Sequence, residues 1–340
     1  MFMSKLKRFF SRKLHKIQYY GSFWNYVHGF SKQTVELNGI NKQNYKVFLD
    51  DRRYRQGHPY NGRFSSIIDN KLYLPYLLKD YPEYVPEYYF FVSNGQISSL
   101  NKKKYDDGFD SFLRLLRGNR ALVLKHCYSW FGDGFIKLEY VDADSYKLNN
   151  EIVSTEGLFQ RISHLHDYIC TECIKQHDYS SSINYSSLNT IRFLCVRDYS
   201  THHFYLSRCF HRFGTKGSLV DNLGGRGNAY LFLVDIEKGT LKQNGMMSFD
   251  GKEVYQDTIH YPGDRAFAGM PIPFFDDVKR KILEISDSFP FLHYIGWDVA
   301  ITNDGFKIIE ANSLTSLGIL QREGGFLEDE RLSSFFLNSK

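Results

Sequence analysis

Cysteine is scarce in this chain of 340 residues: there are five, Cys127, Cys170, Cys173, Cys195 and Cys209, too few for a disulfide scaffold. Only Cys170 and Cys173 have CxxC spacing, and the segment that carries them reads as a strand, where residues three apart face opposite sides. They could not clamp one metal and read as inert, partly buried thiols. Proline is also rare, with 8 residues against a hydrophobic content of 42%, which excludes disorder and leaves material for a large core. Charge of one sign is nearly missing: the formal net charge of +5 is too small over this length to mark a nucleic-acid binder. No apolar run approaches the roughly 18 residues of a membrane-spanning helix. The N-terminus lacks the apolar stretch and cleavage site of a secretory signal, so a cytoplasmic protein is expected. His126, His202, His203 and His260 form no zinc spacing with the cysteines, and no G-x-S-x-G turn supports a hydrolase.

Residues 2–17 read as an amphipathic helix, with Phe2, Leu6, Phe9, Phe10, Leu14 and Ile17 on one stripe and Lys5, Arg8, Arg12 and Lys16 largely off it. Such a helix either packs on its own protein or lies on an anionic membrane, at the inner face of which the chain would then sit. Residues 18–65 are rich in Tyr, Phe, Asn and Gly without a sustained period and suggest no function. Beyond them, Ser66 to Lys79 reads as a helix, Tyr88 to Val92 and then Asn94-Gly95 as a strand and turn, and Tyr105 to Leu116 as a helix. Ala121 to Lys125, Phe135 to Tyr140 and Asp167 to Ile174 read as strands, with a helix around Leu158 to Leu165. Further strands are expected near Thr190 to Val196, Phe204 to Phe210 and Tyr230 to Asp235, then a helix capped by Asp276 and Asp277. This mixture indicates an α+β fold.

The most informative stretch is Ile295-Gly-Trp-Asp-Val-Ala-Ile301, a turn containing Asp304-Gly305, and Phe306-Lys-Ile-Ile-Glu-Ala-Asn312. Two apolar strands around Asp-Gly are a hairpin signal. A three-residue loop Asn303-Asp304-Gly305, with Gly305 left-handed, would set Thr302 opposite Phe306, Asp298 opposite Glu310 and Gly296 opposite Asn312. Strand alternation then puts Asp298, Glu310 and Asn312 on one face. Opposed carboxylates repel unless a cation lies between them, and Mg²⁺ takes such oxygen ligands together with nucleotide phosphates. Neutralising Glu310 should then hold or raise the melting temperature without ligand.

Upstream, Lys125 ends a short apolar strand, a cost unless an anion meets the ammonium or the side chain snorkels out. The turn Phe131-Gly-Asp-Gly134 follows, whose backbone N–H groups could lie over phosphates, although Asp133-Gly134 also suits an ordinary hairpin. Arg192, Arg197, Arg208 and Arg212 lie on or beside two adjacent strands. The glycine-rich loop Asp221-Asn-Leu-Gly-Gly-Arg-Gly227 can approach a ligand.

Taken together, Lys125, the Gly132/Gly134 turn, the strand ending in Glu172, Arg192 and Asp298…Glu310-x-Asn312 resemble the ATP-grasp superfamily in its sugar-transfer-associated branch. The resemblance is closest in Tyr294-Ile-Gly-Trp-Asp-Val-Ala-Ile301 with Ile309-Glu-Ala-Asn-Ser313, in Asn189-Thr-Ile-Arg-Phe193, and in His260-Tyr-Pro262 with Ile272-Pro273. It covers roughly residues 66–325. It implies two α+β subdomains, over residues 66–175 and 176–340, holding ATP between antiparallel sheets, with residues 1–65 as a basic and aromatic N-terminal segment. Lys125 would contact the phosphates, Gly132, Asp133 and Gly134 would form the flap over them, and Glu172, Cys173 and Ile174 would meet adenine, with Asp178 toward the ribose. Asp298, Glu310 and Asn312 would carry Mg²⁺, and Arg192 would steady the transferring phosphoryl; Arg208 and Arg212, on the adjacent strand, are further candidates for that task that the resemblance does not single out. The implied activity is a carboxylate–amine or carboxylate–hydroxyl ligase acting through an acyl phosphate in surface-polysaccharide synthesis, with a carboxylate acceptor and an amine donor as partners. A saccharide kinase and a non-catalytic binding protein docked at a membrane are the alternatives.

Overall fold

The computed structural model describes residues 18–129, 132–221, 229–249, 252–256 and 267–338. The helix read over residues 2–17, Phe131 of the glycine turn, Asn222 to Gly227 and the His260-Tyr-Pro262 motif lie outside the described residues. Residues 18–65, which showed no period, fold as short capped helices. Ser22 caps α1 (Phe23–His28), Ser31 caps α2 (Lys32–Asn38) and Asp50 caps α3 (Asp51–Gly57), each accepting a backbone N–H of the first turn. Helices of two turns are too short to display a 3.6-residue period.

The helix expected over Ser66 to Lys79 is broken. Asn70 turns its side chain back to the Leu72 N–H, at 3.0 Å, and starts a tight 3₁₀ turn, Lys71–Tyr73. Pro75 then stands in the first turn of the next piece, where its missing N–H costs nothing. The result is α4 (Ser65–Ile68) and α5 (Leu74–Leu77), separated by that turn.

A first antiparallel sheet follows, with β1 (Tyr88–Ser93), β2 (Gln96–Ser99), β3 (Ala121–His126), β4 (Ile136–Asp142), β5 (Ser145–Leu148), β6 (Glu151–Val153) and β7 (Tyr168–Glu172) in the order β2-β1-β7-β3-β4-β5-β6. One face is covered by α6 (Phe109–Asn119) and α7 (Thr155–Ser163), whose Phe112, Leu116, Leu158 and Ile162 pack with Leu122, Leu124 and Cys170. Cys170 is thus core, while Cys173 lies past the strand end; all five cysteines are free thiols.

After α8 (Asp178–Ser181), a second antiparallel sheet comprises β8 (Ile191–Arg197), β9 (Phe204–Gly214), β10 (Ala229–Asp235), β11 (Thr240–Phe249), β12 (Lys252–Gln256), β13 (Tyr294–Thr302) and β14 (Gly305–Asn312), ordered β12-β11-β10-β9-β8-β13-β14. Along β8, Ile191, Phe193 and Cys195 pack with Val278, Ile282 and Ile285 of α9 (Phe275–Asp287). Asp276 and Asp277 do not cap α9 as expected; the cap position is Phe274, with φ 59°, and both acids lie in the first turn, where they complement the helix dipole. Leu194 and Val196, alternating with the α9-facing residues, pack with Leu37, Leu49 and Tyr54 of the N-terminal segment and with α10 (Leu317–Leu320) and α11 (Glu330–Asn338). No helix among the described residues is long and apolar enough to cross a membrane.

Candidate functional site

The β13–β14 hairpin delivers the expected pairs by a different route. Its loop has two residues, because Thr302 pairs with Gly305 rather than with Phe306, and this register would set Asp298 against Ile309. A bulge between Asp298 and Val299 absorbs one extra residue of β14, so that Asp298 faces Glu310 and Gly296 faces Asn312. Ile309 and Glu310 both line the cavity beside it.

Register carries the site across the second sheet. Asp298 pairs with Arg192 on β8, Arg192 with Phe210 on β9, and Arg212, two residues along β9, with Leu231 on β10. The charged side chains meet over this face. Arg192 clamps Asp298 through Nε to Oδ1 and through Nη2 to Oδ2 at 2.8 Å, and Arg212 Nη2 donates to the same Oδ2 at 2.9 Å. Arg212 Nη2 also donates to Thr190 Oγ1 at 2.6 Å, whose hydroxyl donates to Asp221 Oδ2 at 2.5 Å. Burial alone would raise the Asp298 carboxyl, but the two guanidinium groups outweigh it and hold it below the usual carboxylate range. The Asp221 carboxyl is shifted upward by its burial, against the pull of Arg212.

The opposed acids are therefore neutralised by the protein itself. On the Glu310 side stands Lys71, a residue the sequence reading passed over, with Nζ 3.5 Å from Oε2 and donating to the Ser129 carbonyl at 2.5 Å. Its only sequence signal is a lysine among apolar neighbours, the same signal that singled out Lys125. Lys125 itself opens onto the cavity, and burial of its ammonium lowers its pKa to about 8, Glu310 opposing the shift and Lys71 adding to it.

These side chains border one cavity of about 670 Å³, a volume that suits a ligand of nucleotide size. Lys71, Lys125, Gly132 and Asp133 lie on its wall together with Arg192, Arg212, Asp298, Glu310 and Asn312. Gly134 does not; at φ 73° it packs so tightly that a Cβ would come within 2.6 Å of the Tyr168 hydroxyl, which fixes the turn that presents its two neighbours. Glu172, Cys173, Ile174 and Asp178 are also off this wall. The Glu172 carboxylate accepts from the Glu87 N–H at 3.1 Å, and the Asp178 N–H bonds Asn303 of the hairpin turn at 3.1 Å. Arg208 pairs with Asp329, and Arg197 bonds the Leu292 and Phe289 carbonyls, so neither serves the cavity.

The N-terminal segment builds the opposite wall through Gln33, Thr34, Leu37, Asp51, Tyr54 and Arg55. It also anchors the chain leaving β14. Asp69 accepts from the Ser313 N–H at 2.7 Å and from its hydroxyl at 2.6 Å, Tyr54 Oη donates to the Thr315 carbonyl at 3.0 Å, and Asn38 Nδ2 to the Gly318 carbonyl at 3.0 Å.

The donor chemistry suits a nucleotide: a half-buried lysine, a second lysine and a glycine-flanked turn are what phosphates meet. For a hard cation the fit is narrower. Among the described residues no three His, Cys, Asp or Glu side chains form a metal cage, and both Asp298 oxygens accept guanidinium hydrogen bonds. Glu310 and Asn312, whose amide nitrogen is turned to the Gly296 carbonyl at 3.3 Å, are oxygen-bearing side chains beside Asp298 that could hold Mg²⁺.

Comparison with known proteins gives one family: the model of the sugar-transfer associated ATP-grasp family matches residues 51–332. No curated protein matches the sequence. Among solved structures, the ATP-grasp ligase PsnB, complexed with a phosphomimetic variant of its minimal precursor, Mg and ADP, is 13% identical with a TM-score of 0.39, over 83% of this chain and 61% of its own. A D-alanine–D-alanine ligase from Bacillus anthracis is 10% identical with a TM-score of 0.40, over 80% of this chain and 67% of its own. D-cycloserine synthetase DcsG is 10% identical with a TM-score of 0.44, over 81% of this chain and 71% of its own. The chain thus spans about three fifths of the length of PsnB.

Proposed function

This chain belongs to the sugar-transfer associated ATP-grasp family, and on that footing we propose that it is an ATP- and Mg²⁺-dependent ligase that activates a carboxylate as an acyl phosphate and passes it to an amine or a hydroxyl. The observation that carries this reading is one cavity lined by two pairs of cations, the lysines Lys71 and Lys125 and the arginines Arg192 and Arg212. The lysines suit the phosphates of the nucleotide. The guanidinium pair, fixed in advance by Asp298 and Asp221, suits a carboxylate and the phosphoryl it receives, since donors held rigid need no reorganisation as charge develops.

In this mechanism an acceptor carboxylate oxygen attacks the γ-phosphorus, the bond to ADP breaks, and an amine nitrogen then attacks the acyl carbon while inorganic phosphate leaves. Glu310 and Asn312 would hold Mg²⁺, which would supply charge neutralisation at the transferring phosphoryl. The role of Asp298 is to hold the two arginines. A setting in surface-polysaccharide synthesis is supported by the family name alone, and the acceptor we propose is accordingly a sugar acid or an amino acid. Incubation with ATP, Mg²⁺ and pools of sugar acids and amino acids should yield ADP, phosphate and an amide or ester. Absence of ADP in every pool would overturn the reading, and a phosphorylated saccharide without amide or ester would replace it with a kinase.

A further inference from the structure

Gly296 stands two residues before Asp298 in β13, between β8 and β14, and is buried. Its φ is not among the positive values of the chain, so no backbone conformation demands a glycine there. In the middle of a strand a glycine is a loss, since it packs nothing and costs conformational entropy. The space above it explains its presence. A Cβ on Gly296 would lie 3.1 Å from Cδ and 3.5 Å from Nη1 of Arg192, and 2.6 Å from Cγ2 of Thr315. Arg192 reaches Asp298 from the neighbouring strand by laying its side chain across the bare backbone of Gly296.

We propose that Gly296 is a positioning residue for the reaction: the missing side chain is the slot in which Arg192 lies, and that slot sets the guanidinium against Asp298 and Arg212. This rests on the reading of Arg192 as the group that meets the transferring phosphoryl. Thr315 closes the slot from above. Its hydroxyl bonds the Tyr54 hydroxyl at 3.1 Å and also the Tyr294 hydroxyl, so it cannot easily give way. With Thr315 held, a side chain at 296 also presses on the arginine by a few tenths of an ångström, and so on a contact that joins β8, β9 and β13 on this face.

The test separates the two clashes. Gly296→Ala alone meets Thr315 Cγ2 and is expected to melt early. Thr315→Ser removes that methyl group while keeping the hydroxyl, so Gly296→Ala/Thr315→Ser leaves Arg192 as the tight neighbour. Against a Thr315→Ser control, the double variant should melt cooperatively and bind Mg·ATP with unchanged affinity, while ADP formation falls about 10-fold, a part of the roughly 100-fold that a full 1 Å misplacement costs. Its Arg192 Nε–H resonance, assigned in ¹⁵N-arginine protein by loss in Arg192→Lys, should shift as the bond to Asp298 is disturbed, a readout that needs no substrate. If the double variant keeps both the resonance and the turnover of the control, the positioning role is overturned. A shifted resonance with unchanged turnover would instead overturn the part assigned to Arg192 in the chemistry.

Discussion

Lys125 is half-buried where its strand meets the cavity, and its pKa of about 8 lies below the ordinary value of 10.5 because burial disfavours the charged form. The folded protein therefore binds fewer protons than the unfolded chain between those two values. The cost of charging Lys125 is fully present below pH 8 and disappears as the pH rises toward 10.5, on the order of 3 kcal/mol from this group. Lys125→Met should stabilise the ligand-free protein at pH 7, and denaturant midpoints at pH 7 and pH 10 should show a smaller rise than wild type. Calorimetry should show the same variant losing ATP affinity. Glu310 behaves differently from what two opposed acids suggest. With Asp298 already matched by two guanidinium groups, Glu310 is the counter-charge of Lys71 and the group that supports the charged form of Lys125. Glu310→Gln is thus expected to lower the ligand-free melting temperature modestly, by about 1 kcal/mol of stability, rather than raise it. It should also push the Lys125 pKa below 8 and reduce Mg·ATP turnover by orders of magnitude; melting curves and ADP release measure the two effects.

The elements that carry the site were unequally legible. The β13–β14 hairpin was readable because two apolar runs flank an Asp-Gly turn, and the opposition of Asp298 and Glu310 followed from alternation. The route was not, since a three-residue loop and a two-residue loop with a bulge give the same pairing two turns of the pleat away. Strand β8 is buried on both faces, so its sequence lacks the polar alternation that would have told Arg192 apart from a surface arginine. Lys71 was invisible for another reason: its position depends on Asn70 ending a helix that local propensity would have continued. Capping side chains that act at long range are likewise absent from any local pattern. Asp69 is one such case, its carboxylate accepting two hydrogen bonds from Ser313 across 244 positions of sequence. Asp69→Ala should free the segment after β14, costing about 1–3 kcal/mol by leaving the Ser313 N–H without a partner. Chemical denaturation should show that loss, and steady-state kinetics should show a larger fall in turnover than in ATP affinity.

For the molecule as a whole, composition and strand signals were enough for an α+β fold, because both sheets are antiparallel and most neighbouring strands, though not β1–β7, β7–β3 or β8–β13, follow one another in sequence. The part played by residues 18–50 was out of reach, because what those residues do is decided by partners at the other end of the chain. The family match begins at residue 51, yet α2 supplies Gln33, Thr34 and Leu37 to the cavity wall and Asn38 to the Gly318 carbonyl. Removing residues 1–44 should therefore abolish ATP turnover and lower the melting temperature, where an appended segment would leave both unchanged. Mg·ATP at 100 times its Kd should stabilise the full chain by about 2.7 kcal/mol and the truncated one by less, as thermal melts with and without nucleotide would show.

The same contacts set the order in which the protein can be made. Leu49 is joined to Gln321 across 272 positions and Leu37 to Arg322 across 285, so the wall of the cavity cannot close until Gln321 and Arg322 have left the ribosome. The first sheet, complete by residue 172, has all its partners early; the helices that precede it must wait for residues 318 to 322. During that wait Leu37, Leu49 and Tyr54 stand exposed to water and to every other nascent chain. A cell that makes this protein is thus committed to sheltering these residues until Gln321 and Arg322 arrive.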